Sequence, residues 1–246
     1  MISCFIPARY HSTRLPGKSL LKINNQTIIN LTYHQVKKCQ LIDEIIVLTD
    51  CLEVKEEVES FGGQCFIVEE DCLNGTERIV KYCLKNNLKP DIIVNVQGDE
   101  PFINPENIDK TIQNFLDKRT PLLKCSTLHY HFKNHEDVLK RSNGKLILDQ
   151  NNNILYCSRN VIPGSKNQII NPDITYTGHI GVFVYDGDYL INQYLNENTK
   201  YQMAEDIEWL KILEQGYQIN SCLVEHHEIG LDTPEDYDYL LSKYSK

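Results

Sequence analysis

The sequence predicts an α/β fold in which a mainly parallel sheet is covered by helices on both faces. Three observations carry this. Short continuous apolar runs such as Ile2–Ile6, Ile45–Leu48 and Ile92–Val94 have the length and composition of strands buried on both faces. Segments with apolar residues at helical spacing lie between them. The alternation persists through the first half of the chain, as a βαβ arrangement demands.

Taken in order, Ile2–Ile6 is the first strand, ended by Pro7, and a polar loop, Ala8–Lys18, follows it. Ile28–Cys39 has helical spacing, and Glu44–Thr49 is a second buried strand. Leu52–Phe61 is a charged amphipathic helix stopped by Gly62-Gly63. Cys65–Val68 is a strand, Gly75–Asn86 a helix and Asp91–Val96 a further buried strand. Pro105–Leu116 is a helix with proline near its first position.

The pattern loosens after about Pro121. Leu122–His129, Leu146–Asp149 and Ile154–Ser158 read as strands joined by Asn-rich turns, and Asn160–Thr175 as a long loop. His179–Tyr185 is a strand, Gly187–Asn196 and Glu205–Gln215 are helices, and Gln218–Val224 is a strand. Thr233–Ser242 closes the chain as a helix capped by Asp232 or Thr233, with Pro234 at its first position. No linker or repeat interrupts the 246 residues, so a single domain is expected, with an α/β half over about 1–120, a mixed half over about 121–225 and a return to the core over about 226–246.

Composition narrows the function. Lys and Arg total 25 against 34 Asp and Glu, a formal charge of −9, which repels nucleic acid polymers and anionic membranes. A small anion held by a local basic loop is still compatible with that charge. Nine cysteines, an odd number with no C-x-x-C spacing, argue against a zinc knuckle or redox dithiol and fit small core residues in a reducing compartment. No run approaches the roughly 20 apolar residues of a membrane span, and the N-terminus does not read as a signal peptide. A cytoplasmic protein is the expectation, or an organellar one if a transit peptide was removed.

In open α/β sheets, ligands bind at the carboxyl ends of the strands. The loop Pro7–Lys18 carries Arg9, Arg14 and Lys18 with Ser12, Thr13 and Gly17, a set suited to a polyphosphate, although the Walker spacing is absent. Asn74-Gly75-Thr76-Glu77-Arg78 opens a helix, where an anion or a plain N-cap would look the same. Asn95-Val96-Gln97-Gly98-Asp99-Glu100-Pro101 follows a strand and offers carboxylates to a hard cation, or forms a tight acidic turn. Gly230-Leu231-Asp232-Thr233-Pro234-Glu235-Asp236 is good capping chemistry; it becomes a site if Asp232 reaches the third loop.

Together these segments resemble the CMP-Kdo synthetases, the 3-deoxy-manno-octulosonate cytidylyltransferases. The resemblance rests on Ile6-Pro7-Ala8-Arg9-Tyr10 through Ser12-Thr13-Arg14-Leu15-Pro16-Gly17-Lys18, on Thr49-Asp50, on Gly75-Thr76-Glu77-Arg78 and on Val94 through Pro101. It continues in Ser158-Arg159, His179-Ile180-Gly181 and Asp232 through Asp236, in family order over essentially the whole chain. It implies a nucleotidyltransferase-type, Rossmann-like fold with a smaller mixed part for the sugar and for homodimerisation. The reaction implied is CTP plus a 3-deoxy-ulosonic acid giving CMP-sugar and pyrophosphate, with Mg²⁺.

By the resemblance, Ala8, Arg9, Ser12, Arg14, Lys18, Thr76, Arg78, Gln97 and Asp99 contact CTP. Asp99 and Asp232 ligate the metal, and with Lys18 they form the catalytic set. Gln97, Arg159, His179 and Glu205 approach the sugar acid. The implied chemistry needs no covalent intermediate, only alignment and neutralisation of phosphate charge. Two positions depart from the family pattern: Gly178 stands where an Arg precedes the His-x-Gly strand, and Trp209 stands where Gln is familiar. Both departures fall where the sugar is expected, and they raise an 8-amino analogue or a sialic-type acid as alternative substrates. A catalytically silent nucleotide-binding module is the alternative of another class; retention of Lys18, Asp99 and Asp232 speaks against it.

Overall fold

The computed structural model describes residues 1–10, 15–166, 169–195, 199–226 and 229–245. Two compact units are present, one built from Met1–Asp109 with Glu228–Lys246 and the other from Lys110–His227.

The first unit holds a four-strand parallel sheet. Its strands are β1 (Ile2–Ala8), β4 (Glu44–Thr49), β5 (Gln64–Ile67) and β6 (Ile92–Val96), in the spatial order β6-β1-β4-β5. Central β1 has Phe5 paired with Ile46 on one side and Asn95 on the other. Its Cys4, Phe5 and Ile6 are wholly buried, which is why the run has no polar alternation. Helices α1 (Ile28–Val36), α2 (Leu52–Ser60) and α3 (Gly75–Lys85) connect the strands. Thr27 and Asn74 cap α1 and α3, their side-chain oxygens accepting the N–H groups of Asn30 at 3.3 Å and Glu77 at 2.9 Å.

Two local features of this unit differ from the sequence reading. Helix α1 ends at Val36 rather than Cys39, because the next amides tighten to i→i−3 bonds: Lys38 donates to Gln35 and Cys39 to Val36. A small hairpin, β2 (Lys22–Ile23) with β3 (Gln26–Thr27), precedes α1. Asn24 and Asn25 turn it with φ of 49° and 64°, the left-handed pair that a two-residue hairpin requires. The chain returns as α9 (Pro234–Tyr244), whose Leu240 packs with Ile23, Ile28 and Leu231 in a closed apolar cluster.

The second unit has a mixed sheet. Strand β7 (Leu123–His131) lies between β11 (Gln218–Leu223), parallel to it, and β10 (Thr177–Asp186), antiparallel to it. The hairpin β8 (Lys145–Leu148) and β9 (Ile154–Ser158) extends from β10 through the Thr177–Leu146 pair. Its turn is organised by Asp149, whose carboxylate accepts the N–H groups of Asn151 and Asn153, both at 2.8 Å. Helix α4 (Pro105–Asp117) leads into this unit, followed by α5 (His135–Leu139), α6 (Gly187–Gln193), α7 (Lys200–Glu205) and α8 (Leu210–Glu214). The helix expected over Glu205–Gln215 starts only at Leu210, and the sequence reading does not anticipate α7 before it. Asp206 takes a left-handed conformation, φ 52°, which aspartate tolerates better than most residues, and it ends α7 before α8 begins.

Candidate functional site

The carboxyl ends of β1 and β6 lie side by side, and the turn after β6 presses onto β1. Gly98 donates its N–H to the Pro7 carbonyl at 3.3 Å. A Cβ at position 98 would lie 2.9 Å from that same oxygen and 3.2 Å from Ala8 Cβ, so the approach requires glycine. Asp99 is thereby set at the strand end. The loop after β1 is closed at its base by the Gly17 N–H donating to the Tyr10 carbonyl at 3.0 Å, with Gly17 at φ 68°. Lys18 then opens a 3₁₀ turn, Lys18–Leu20.

Lys18, Asp99 and Asp232 meet. Lys18 Nζ donates to Asp99 Oδ2, to Asp232 Oδ1 at 3.2 Å and to the Leu231 carbonyl at 3.1 Å. An ammonium has three protons, and here three oxygens receive them. The loops carrying these oxygens are tied to each other, because the Leu231 N–H donates to the Asp99 carbonyl at 2.8 Å. Asp232 is set by the start of α9. Asp236 accepts the N–H groups of Asp232 at 3.1 Å and Thr233 at 2.8 Å, and Thr233 accepts that of Asp236, a reciprocal capping box. Burial lowers the Lys18 pKa, but the charges of Asp99 and Asp232 and their hydrogen bonds outweigh it and hold the ammonium above its ordinary 10.5.

A second polar network borders the β1 and β4 ends. Asp50 accepts the Tyr10 N–H at 2.9 Å and the Arg78 guanidinium at 3.0 Å, and Arg78 also donates to the Val68 carbonyl at 3.2 Å. Arg78 is buried at 6% exposure, and these contacts hold its guanidinium in place beside the loop after β1. At the start of α3, the buried Thr76 hydroxyl accepts from Asn95, whose own oxygen accepts from Gln97 at 3.4 Å. Ala8 is buried at the end of β1 and Arg9 is exposed. Ser12 and Arg14 lie outside the described residues.

In the second unit, Arg159 and Glu205 are joined. The Glu205 carboxylate accepts the Ser158 hydroxyl at 2.6 Å and the Arg159 N–H at 3.0 Å, and the Arg159 guanidinium donates to the Glu205 and Asp206 carbonyls, each at 2.9 Å. His179 is half-buried on β10, its Nε2 3.0 Å from the Thr127 hydroxyl. That hydroxyl donates to the Val182 carbonyl at 2.6 Å, so the imidazole supplies the other proton from Nε2 and leaves Nδ1 as an acceptor. Burial, with the neighbouring His129, lowers the His179 pKa to about 3 and keeps it neutral.

The two unusual positions are filled from within this unit. Trp209 is buried at 3% exposure, its ring centroid 5.3 Å from that of His179 and 6.4 Å from that of Phe183. Its apolar area packs against His179 and Phe183. Gly178 faces Tyr130 across the β10–β7 ladder, and a Cβ there would lie 2.3 Å from Tyr130 Cζ. The tyrosine ring covers the space that a side chain at 178 would take.

Comparison with known proteins places these features in a family. A cytidylyltransferase family model matches residues 3–221. The chain is 38% identical over 237 residues to the 3-deoxy-manno-octulosonate cytidylyltransferase of Fusobacterium nucleatum, covering 96% of this chain and 94% of that protein. It is 37% identical over 236 residues to the enzyme of the same name from Protochlamydia amoebophila, covering 94% and 89%. The chain belongs to the 3-deoxy-manno-octulosonate cytidylyltransferase family. A solved structure of CMP:2-keto-3-deoxy-manno-octonic acid synthetase complexed with CTP superposes with a TM-score of 0.88 at 30% identity, covering 98% of this chain and 97% of that one. The nucleotidyltransferase-type fold and the cytidylyltransferase class are thus established.

Within this family setting, the sequence motifs point to Lys18, Asp99 and Asp232, but they do not reveal the Leu231 carbonyl as a third oxygen around the ammonium. A main-chain acceptor carries no side-chain signal. Asp50, which the sequence reading names only in the Thr49-Asp50 match and gives no role, is the partner of Tyr10 and Arg78, and its place just after β4 marks it by the rule of strand ends. The Asp99, Asp232 and Leu231 oxygens already surround one cation, and an all-oxygen set is the donor chemistry that Mg²⁺ prefers. Among the described residues no group of three or more His, Cys, Asp or Glu side chains is gathered for a metal, so a cation here would complete its shell with other oxygens.

Proposed function

We propose that this protein transfers the cytidylyl group of CTP to the anomeric hydroxyl of 3-deoxy-manno-octulosonate, releasing pyrophosphate, with Mg²⁺ held by Asp99 and Asp232. The single observation that carries the reading is the near full-length likeness, 37–38% identical, to proteins bearing that name. The meeting of Lys18, Asp99 and Asp232 at the ends of β1 and β6 supports it.

The sugar hydroxyl oxygen bonds to the α-phosphorus as its O–H bond breaks and the proton passes to water, the bond from that phosphorus to the bridging oxygen breaks, and pyrophosphate carries that electron pair away. Bound Mg²⁺ supplies charge neutralisation on the phosphate oxygens and lowers the pKa of the attacking hydroxyl. The chain's own residues do the rest. Lys18 and Arg9 offer cationic partners to the triphosphate, where charge-assisted hydrogen bonds are strong. Thr76 and Asn95 are buried and bonded to each other, and Asn95 in turn holds the partly buried Gln97, whose amide is of the kind that reads a base edge. Arg78 and Asp50 hold the loop after β1 in register. In the second unit, Arg159 is the cation suited to a sugar carboxylate, with Glu205 fixing its main chain.

Plain 3-deoxy-manno-octulosonate is favoured over an amino analogue or a sialic-type acid, because Trp209 is buried and Gly178 is covered by Tyr130. Neither departure then adds a group that would select an amino sugar. We also propose a homodimer formed through the second unit. The strongly exposed Leu155, Ile169, Tyr201 and Met203 offer apolar area for it. Nine free cysteines suit a reducing, cytoplasmic setting, and no helix among the described residues is long and apolar enough to cross a membrane.

The test is a sugar panel. With CTP and Mg²⁺, the mass of the product is read for 3-deoxy-manno-octulosonate, its 8-amino analogue and a sialic-type acid. The expected result is a CMP adduct formed fastest with the first; preference for either of the others overturns the substrate assignment. Light scattering of the eluting protein reads the dimer, and a monomer mass contradicts that part.

A further inference from the structure

We infer that Lys18 is a built-in counter-ion: its ammonium fills the Asp99–Leu231–Asp232 cradle and keeps a divalent cation out until a bound triphosphate draws it away. Cation entry is then coupled to nucleotide entry. The inference rests on the proposed reaction for the identity of the anion, but it is read on the nucleotide-free protein.

Three observations support it. First, the Lys18 ammonium already bonds all three oxygens of the cradle. A divalent ion entering beside it would meet a like charge at close range, which a partly buried site screens poorly. Second, the cradle does not depend on Lys18 for its shape. The Leu231 N–H to Asp99 carbonyl bond of 2.8 Å, the buried Leu231 side chain and the Thr233–Asp236 capping box hold its parts. The oxygens stay in place when the ammonium leaves. Third, Lys18 can leave. It sits on a flexible stem at the foot of the loop that also carries Arg9, and phosphate oxygens are charge-assisted acceptors for an ammonium. The vacated cradle has only two side-chain ligands and one carbonyl, so a hard cation there takes further oxygens from water and from the phosphates that moved Lys18.

The experiment titrates nucleotide-free protein with Mn²⁺ and follows the free ion by electron paramagnetic resonance. Wild type is expected to bind weakly. Lys18→Met is expected to bind roughly tenfold tighter or more, because one like charge is gone. Adding Asp99→Asn to Lys18→Met should remove the gain, which locates the ion. Binding by Lys18→Met no tighter than wild type overturns the inference. If Lys18→Met is unstable without metal, its thermal midpoint is compared with and without Mg²⁺. A rise much larger than that of wild type agrees with the inference, and an equal rise contradicts it. Wild type alone supplies an independent arm through the ¹⁵N-lysine ammonium signals. The Lys18 signal should ignore Mg²⁺ alone and move when CTP is added; movement with Mg²⁺ alone overturns the inference. None of these readouts uses sugar turnover, so their failure is distinct from failure of the proposed reaction, which the sugar panel decides.

Discussion

Asp99 and Leu231 are joined main chain to main chain, the Leu231 N–H donating to the Asp99 carbonyl at 2.8 Å across 132 positions of sequence. This bond couples the turn after β6 to the segment before α9, and so places the Asp99 and Asp232 carboxylates on one ammonium. A carboxylate pair held this way acts as a unit. Asp99→Asn and Asp232→Asn should each lower kcat by roughly 10²-fold, since in the proposed reaction each removes a charge that would hold Mg²⁺ on the phosphates. The double variant should fall by less than the product of the two. Pyrophosphate release at saturating Mg²⁺ measures this; multiplicative losses would show that the two carboxylates serve separate tasks.

Gly98 sits where any side chain collides with β1. A Cβ 2.9 Å from the Pro7 carbonyl meets backbone, which cannot swing aside. Gly98→Ala should cost about 1–3 kcal/mol of stability and displace Asp99 by forcing the turn outward. Denaturant unfolding gives the first quantity and kcat the second. Wild-type kcat in a folded Gly98→Ala would mean that Asp99 placement does not depend on this contact.

Gly178 and Tyr130 form a complementary pair. Gly178→Ala should destabilise by about 1–3 kcal/mol through the clash with the Tyr130 ring. Tyr130→Ala in the same chain should relieve part of that clash, so the double variant is less destabilised than the sum of the single changes. A thermodynamic cycle from urea unfolding measures the coupling. Additive losses would contradict the packing of Tyr130 over Gly178.

The second unit carries a pH response. Burial, with His131 and Lys110 nearby, lowers the His129 pKa from 6.5 to about 4, and its Nδ1 lies 2.8 Å from the Ser221 hydroxyl. Between those pH values the unfolded chain binds a proton that the folded chain refuses, so stability rises with pH there and is lost as pH falls from about 6.5 towards 4. His129→Gln keeps a polar partner for Ser221 and removes the titration. Its melting temperature should fall less steeply over that window than that of wild type. An unchanged slope would assign the acid sensitivity to other groups.

Which features could be seen in the sequence follows from the range of the forces involved. Strands β1, β4 and β6 are buried on both faces, so their composition alone marks them. The Thr233-Pro234 start of α9 is written in capping residues within one turn. The loops bearing Lys18, Asp99 and Asp232 stand out because cations or carboxylates gather at strand and helix ends. Other features depend on partners far along the chain. The hairpin around Asn24 and Asn25 is too short to show alternation. The left-handed Asp206 and the late start of α8 at Leu210 fall in a segment whose apolar spacing suits a helix from Glu205 onward. The ring partners of Trp209, His179 and Phe183, come from β10, about 30 positions back along the chain. The ion-pair partner of Arg78, Asp50, lies just after β4 and 28 positions away, beyond the reach of any local pattern.

The most direct test of the central claim is pyrophosphate release from 3-deoxy-manno-octulosonate with each of CTP, UTP, ATP and GTP, with Mg²⁺ and again with excess chelator. The account predicts release with CTP far above the other three, abolished by chelation and lost in Asp99→Asn. Release with CTP that survives both chelation and Asp99→Asn, or no release with CTP at all, would contradict it.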